Sequence, residues 1–178
     1  MTIKPKIYLA GPECFMPDGK QRADQALALC EKYGFEGISP AKGNAGEPVD
    51  FSNPDRKRVA RDICKKNMWC IEQCDIIIAN TNNFRGFEPD GGTAFELGYG
   101  WALGKKLYCF LDDIRSCEDK YTGVQIPDKN NVLRDENGLT FESGPLNLML
   151  DDSSTVIEGG IEDALKRAAA DFGTAEGK

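Results

Sequence analysis

Two carboxylates, Asp90 and Glu96, bracket the segment Asp90-Gly91-Gly92-Thr93-Ala94-Phe95-Glu96-Leu97-Gly98-Tyr99-Gly100, in which the other residues are small or apolar. A carboxylate in such surroundings can attack an electrophilic carbon or stabilise positive charge on it, while a second carboxyl handles a proton or hydrogen bonds. Unpaired amides and the dipole in the first turns of a helix favour ionised Glu96, and burial opposes this. The plainer reading makes Glu96 an ordinary acidic residue of a helix start. Its neighbours Ala94, Phe95, Leu97 and Gly98-Tyr99-Gly100 leave little polar face for a merely solvated side chain. Asp90 reads as a turn or cap residue, or as a ligand contact where two glycines let a molecule approach the backbone.

The flanking pattern supplies the elements that would hold these groups. Asp75-Ile76-Ile77-Ile78-Ala79-Asn80 is a β-branched run suited to a buried parallel strand, followed by a Gly- and Pro-containing loop and the helix from about Gly92 to Leu103. Ligands of open α/β sheets bind where strand carboxyl ends meet helix starts, and Asp90 and Glu96 fall there. Lys6–Ala10 predicts a first strand ending at Gly11-Pro12. Gly19 to Tyr33 predicts a helix closed by Gly34, Phe35 to Ser39 a short strand, and Asn53-Pro54-Asp55 the start of a helix reaching about Glu72. The Gly- and Pro-rich loop Pro40–Ser52 is long enough to suggest a functional role. Leu107–Leu111 and Thr155–Ile157 predict two more strands, and Ile161–Ala170 a closing helix. Between Asp112 and Gly144, Val132–Arg134 and Leu139–Phe141 flank Asp135-Glu136-Asn137-Gly138 as a small hairpin. The alternation predicts a three-layer α/β sandwich with a parallel, flavodoxin-like sheet of about five strands. A single domain over residues 1–178, with a loose tail from about 173, fits the length.

Composition narrows the partners. A net charge of −7 with scattered basic residues argues against nucleic acid, and no apolar run is long enough for a bilayer span. A small polar substrate is expected. Without a cationic and apolar leader at the N-terminus, a cytoplasmic location is expected. Seven cysteines without paired spacing suit reduced thiols. Cys64, Cys70 and Cys74 lack a C-x-x-C signature in a chain without histidine, so they read as small buried hydrophobes; no metal and no cofactor are expected. With no histidine, acid and base work near neutral pH falls to tuned carboxylates, Tyr or Cys. Gly11-Pro12-Glu13-Cys14-Phe15 matches neither a P-loop nor a dinucleotide fingerprint.

Four blocks carry a family resemblance: Lys6-Ile7-Tyr8-Leu9-Ala10-Gly11-Pro12, Cys74-Asp75-Ile76-Ile77-Ile78, the Asp90 to Tyr99 segment, and Pro145-Leu146-Asn147-Leu148-Met149. In this order they resemble the nucleoside 2-deoxyribosyltransferases. The resemblance implies transfer of a 2-deoxyribosyl group between nucleobases, with Glu96 as nucleophile, Asp90 binding and helping to protonate the base, and Tyr8 holding the Glu96 carboxylate. It also implies that Asn147 reaches the sugar 5-hydroxyl in a neighbouring subunit's site. Gly11 and Met149, in the first and last blocks, are carried as substrate-binding residues. The partners implied are a 2-deoxynucleoside and a free nucleobase, in a homo-oligomer that is at least a dimer and extends to a hexamer.

Asn67 stands where some members carry a second base-side Asp, so base specificity stays open; a polar helix surface is the alternative reading. Phe15 is a candidate to stack on a base, the alternative being a core position. A deoxynucleoside monophosphate hydrolase and a non-catalytic nucleotide-sensing module remain as other readings of the fold. The hydrolase would need a cationic or hydroxyl-rich cradle beside Gly11, where Glu13 stands instead.

Overall fold

The computed structural model describes residues 4–174; the expected tail lies, from residue 175 onward, outside the described residues. Strands β1 (Lys6–Ala10), β2 (Glu36–Ile38), β3 (Ile76–Asn80), β4 (Lys106–Leu111) and β7 (Thr155–Glu158) form one sheet, with β5 (Ile126–Pro127) and β6 (Leu133–Arg134) outside it. Every pairing in this sheet is parallel, in the order β2-β1-β3-β4-β7, the arrangement of flavodoxin-like doubly wound sheets. Helices α1 (Gly19–Lys32), α2 (Arg56–Glu72), α3 (Gly91–Ala102) and α6 (Ile161–Phe172) cover its faces.

Alternation along the strands builds two cores. Ile77 and Ala79 of β3 join Tyr8, Ala10, Leu107 and Cys109 on the face packed by α2 and α3, through Cys70, Ile71 and Leu97. Ile76 and Ile78 turn the other way, toward Ile7, Tyr108 and Phe110, and meet Cys30 of α1 and Leu165 of α6. Because β3 is buried on both faces, it reads as a continuous apolar run. The chain winds from β1 to β2 on one side and returns to β3 on the other, which opens a crevice at the carboxyl ends of β1 and β3. Helix α3 lies close on the sheet because Gly100 faces Ile77; a Cβ there would collide with the Ile77 side chain. That approach brings Glu96 toward β1.

The region from Asp112 to Gly144 differs from the expected hairpin. Leu133–Arg134 (β6) pairs antiparallel with Ile126–Pro127 (β5), and the pairing anticipated across Asp135–Gly138 reduces to one bridge between Arg134 and Thr140. Asp135 bonds its own turn, its carboxylate accepting from Asn137 N and Leu139 N, which satisfies the backbone without a ladder. The short helix α4 (Cys117–Lys120) ties the excursion down: Cys117 N donates to Gly144 O at 2.9 Å, and Lys120 Nζ to Pro145 O at 2.7 Å. Tyr121 then packs on Phe87 with ring centroids 4.3 Å apart, with Phe141 beside both. The helix start expected at Asn53-Pro54-Asp55 is realised at Asp55, which caps α2 by accepting from Lys57 N and Arg58 N. Cys70 and Cys74 are buried as expected, whereas Cys64 is exposed.

Candidate active site

Tyr8 sits mid-strand on β1, fully buried on the face beneath α3, and its side chain can reach only toward that helix. Its hydroxyl donates to Glu96 Oε1 at 2.5 Å, and Asn67 Nδ2 of α2 donates to the same oxygen at 3.3 Å. Three elements thus meet on one carboxylate oxygen. Among the described residues no hydrogen bond engages Glu96 Oε2, which leaves that oxygen available to a reacting atom.

Burial dominates the electrostatics. It pushes the Glu96 carboxyl up to about 7, against the Tyr8 and Asn67 hydrogen bonds that favour its ionised form, while the neighbouring Asp90 charge adds a smaller upward push. The expected help from helix-start amides goes elsewhere. Glu96 lies in the second turn of α3, and Asp90 is the N-cap, its Oδ2 accepting from Thr93 N at 3.0 Å and Thr93 Oγ1 at 3.3 Å. Tyr8 is held neutral by burial and by the negative charge of Glu96.

Asn67 is therefore neither on a free helix surface nor without a partner. It lies in the stripe of Ile63, Cys70 and Ile71, at i−4, i+3 and i+4, and a lone amide inside an apolar stripe is the sequence signal that could have placed it. Phe15 is not core: it is 60% exposed at the turn after β1, stacked on Phe84 at 5.4 Å between centroids. Arg85 lies over both rings, 4.8 Å from the Phe84 centroid and 5.8 Å from that of Phe15. Sequence reasoning missed Phe84, Arg85 and Asn80, the last of which donates from Nδ2 to Glu13 Oε1 at 2.7 Å. Gly11 ends β1 with φ 156°, a conformation that L side chains rarely adopt, and the Glu13 carboxylate folds back over it.

Asn147 and Met149 do not join this group. Asn147 caps the short helix α5 (Leu148–Ser153), its Oδ1 accepting from Met149 N and its Nδ2 donating to Glu142 at 2.8 Å. Both residues line a cavity of about 850 Å³ together with Ala94, Gly98, Trp101 and Glu142. Glu96 stands two residues from both Ala94 and Gly98, about 200° around the helix, so the cavity opens on the face of α3 turned away from the carboxylate.

Comparison with known proteins fits this geometry. The family model described as nucleoside 2-deoxyribosyltransferase matches residues 7–149, a span holding Tyr8, Asn67, Asp90, Glu96 and Asn147. A curated relative, the uncharacterized protein C191.05c of Schizosaccharomyces pombe, is 32% identical over 117 residues, which make up 65% of this chain and 54% of the relative. The chain thus matches about half the length of that relative. Among solved structures, a 2-desoxiribosyltransferase from Leishmania mexicana superposes with a TM-score of 0.72 at 34% identity, covering 93% of this chain and 97% of that one. A 2-deoxyribosyltransferase from Bacillus psychrosaccharolyticus shares the fold, with a TM-score of 0.50 at 22% identity over 92% of this chain and 90% of its own. On the family match across most of its length and the structural match to the Leishmania protein, the chain belongs to the nucleoside 2-deoxyribosyltransferase family.

Proposed function

We propose that the protein transfers a 2-deoxyribosyl group from one nucleobase to another through a covalent intermediate on Glu96, with retention at the anomeric carbon. The observation that carries the reading is the half-buried Glu96 carboxylate, one oxygen fixed by Tyr8 and Asn67 and the other unengaged. In the first step Glu96 Oε2 attacks the anomeric carbon. The bond to the base nitrogen breaks with its electron pair staying on the base, which receives a proton or hydrogen bonds from the side of Asp90. In the second step a nitrogen of the incoming base attacks the same carbon and gives up its proton on the side of Asp90, the carbon–oxygen bond breaks, and Glu96 leaves as a carboxylate. Two inversions restore the starting configuration, and a nearby carboxylate suits the positive charge that builds on the sugar.

Tyr8 and Asn67 act here by orienting Glu96, Phe15 with Phe84 offers a face for a base, and Gly11, lacking a Cβ, lets the Glu13 carboxylate lie over the end of β1 beside the sugar site. No cofactor takes part in this scheme. A chromatographic assay with a deoxynucleoside and a second free base tests it: formation of the exchanged deoxynucleoside is expected. Release of free sugar alone would identify a hydrolase, and binding without turnover a sensing module; either result overturns the transfer reading.

The position of Glu96 near 7 predicts the acid limb of the exchange profile. The nucleophile must be ionised, so kcat/KM falls about tenfold per unit below pH 7. Tyr8→Phe removes a hydrogen bond that favours the carboxylate, so its acid limb moves to higher pH. Asn67→Asp moves it the same way by placing a second carboxyl beside the first. Acid limbs that coincide in all three proteins would separate these residues from Glu96 ionisation.

The working unit proposed is a homo-oligomer, at least a dimer and extending to a hexamer, with Asn147 completing a neighbour's site. Its support is the turn of Asn147 and Met149 away from their own Glu96, beside an apolar surface where Trp101 is 62% and Met149 69% exposed. Co-expression of Glu96→Ala and Asn147→Ala chains is expected to regain activity that neither has alone. In a mixed dimer one site carries both lesions and the other carries none. If both residues came from one chain, every site would keep a lesion, and purified mixed oligomers would be no more active than their parents.

A further inference from the structure

The turn that follows the first strand of a doubly wound sheet, at the point where strand order reverses, is where such folds receive phosphate groups. In this protein that place is filled by a carboxylate. Glu13, in the turn Pro12–Phe15, folds back over Gly11 so closely that a Cβ there would overlap Glu13 Oε2. Its Oε1 accepts from Asn80 Nδ2 at 2.7 Å, a bond that crosses from the end of β1 to the end of β3. Asn80 is itself held: its Oδ1 accepts from Asn82 N at 3.1 Å and Asn82 Nδ2 at 3.0 Å, and Asn82 Oδ1 accepts from Asp112 N, just past β4, at 2.9 Å. The side chain is thereby fixed across the ends of three adjacent strands by neutral amides. No ion pair among the described residues includes Glu13, so its charge is located without being neutralised. Glu13 follows β1, the strand whose Tyr8 bonds Glu96, and burial, with the charges of Asp90, Glu96 and Glu13 behind it, pushes the neighbouring Cys14 thiol up. The nearby Arg85 guanidinium lies over the Phe84 and Phe15 rings.

We propose that Glu13, clamped by Asn80 over Gly11, selects substrates by the charge at the 5′ end of the sugar, accepting an uncharged deoxynucleoside and rejecting its 5′-monophosphate. This rests on the deoxyribosyl-transfer reading of the site. A sugar 5′-hydroxyl that accepts from a neighbouring chain's Asn147 amide can still donate its own proton to Glu13 Oε2, a charge-assisted bond, whereas a phosphate dianion brings two like charges against a carboxylate held over Gly11 by Asn80. Asn80 is then a positioning residue that acts through Glu13.

The test compares deoxyadenosine with deoxyadenosine 5′-monophosphate in wild type, Glu13→Gln and Glu13→Ala, by base exchange and separately by calorimetric binding. Glutamine keeps the shape and an acceptor for Asn80 but removes the charge. The ratio of kcat/KM for monophosphate over nucleoside is expected to rise at least about tenfold in Glu13→Gln, with the ratio of binding constants rising in parallel and the wild-type discrimination weakening in high salt. Glu13→Ala, which also loses the Asn80 bond, must move the ratio in the same direction. Unchanged ratios, or equal losses for both compounds, overturn the assignment. If wild type exchanges no deoxynucleoside, the transfer reading fails; exchange with a ratio insensitive to position 13 sinks the role of Glu13 alone.

Discussion

Replacing Glu96 by alanine is expected to lower base exchange by roughly 10³-fold or more while the sheet and its helices persist, because only the group that bonds to the sugar is lost. Asp90 offers no ready substitute, since its Oδ2 is committed to capping α3 through Thr93. Alanine carries a side cost: the buried Tyr8 hydroxyl and the Asn67 amide lose their shared acceptor, each such loss costing about 1–3 kcal/mol. Glu96→Gln is the cleaner companion, because its amide oxygen still accepts from both donors yet is a far poorer nucleophile. Both variants are to be assayed by chromatography alongside circular dichroism, and the wild type probed by mass spectrometry for a deoxyribosyl adduct with a slow substrate analogue. Near-normal exchange in either variant would remove Glu96 from the reaction.

The second large effect is on stability rather than rate. Glu96 titrates about 7 in the folded protein against an ordinary 4.5, so folding favours its protonated form. Below about pH 4.5 both states are protonated and the contribution is fully present. As pH rises toward 7 the unfolded chain ionises first and the contribution is lost, reaching an upper bound of roughly 3 kcal/mol above pH 7. Glu96→Gln has no such titration. Urea unfolding across pH 4.5–8 is therefore expected to show the variant gaining on the wild type as pH rises, then a constant difference above about 7. A difference that is flat across the range would mean that the carboxylate is not held out of water as its surroundings imply. The pattern is that of a site maintained at some expense to the fold.

The strands were legible because burial on both faces writes itself into composition: Ile76 to Ala79 has no solvent side, and Lys6–Ala10 and Leu107–Leu111 flank it in the sheet. Asp90 and Glu96 were legible as a pair because one helix start carries both. The bond between Tyr8 and Glu96 is a different matter, for it joins residues 88 positions apart and depends on β1 pairing beside β3 and on Gly100 admitting α3 close to Ile77. No local pattern encodes that; the four-block resemblance did. The region from Asp112 to Gly144 resisted because its shape comes from side chains closing on their own backbone at Asp128 and Asp135 and from aromatic contacts across loops, none of which has a period. The exposed stacking of Phe15 was half legible: its candidacy to stack on a base was read from the turn after β1, but its partner Phe84 comes from a distant loop that no local pattern links to it.

The tie between Cys117 N and Gly144 O gives that excursion a neck. Whatever length of chain is threaded beyond it, the exits toward β4 and α5 stay the same distance apart, and the entropic cost of a longer or shorter loop grows only with the logarithm of its size. The β5–β6 tip is thus free to be trimmed or extended at small cost. Tyr121 is not, because its hydroxyl and ring fasten Asn83 and Phe87 on the segment that delivers Asp90. One appendage therefore combines a part that tolerates insertions and deletions with a part that does not, and the tolerant part begins past Tyr121 and ends before Phe141, which packs on Tyr121 and Phe87.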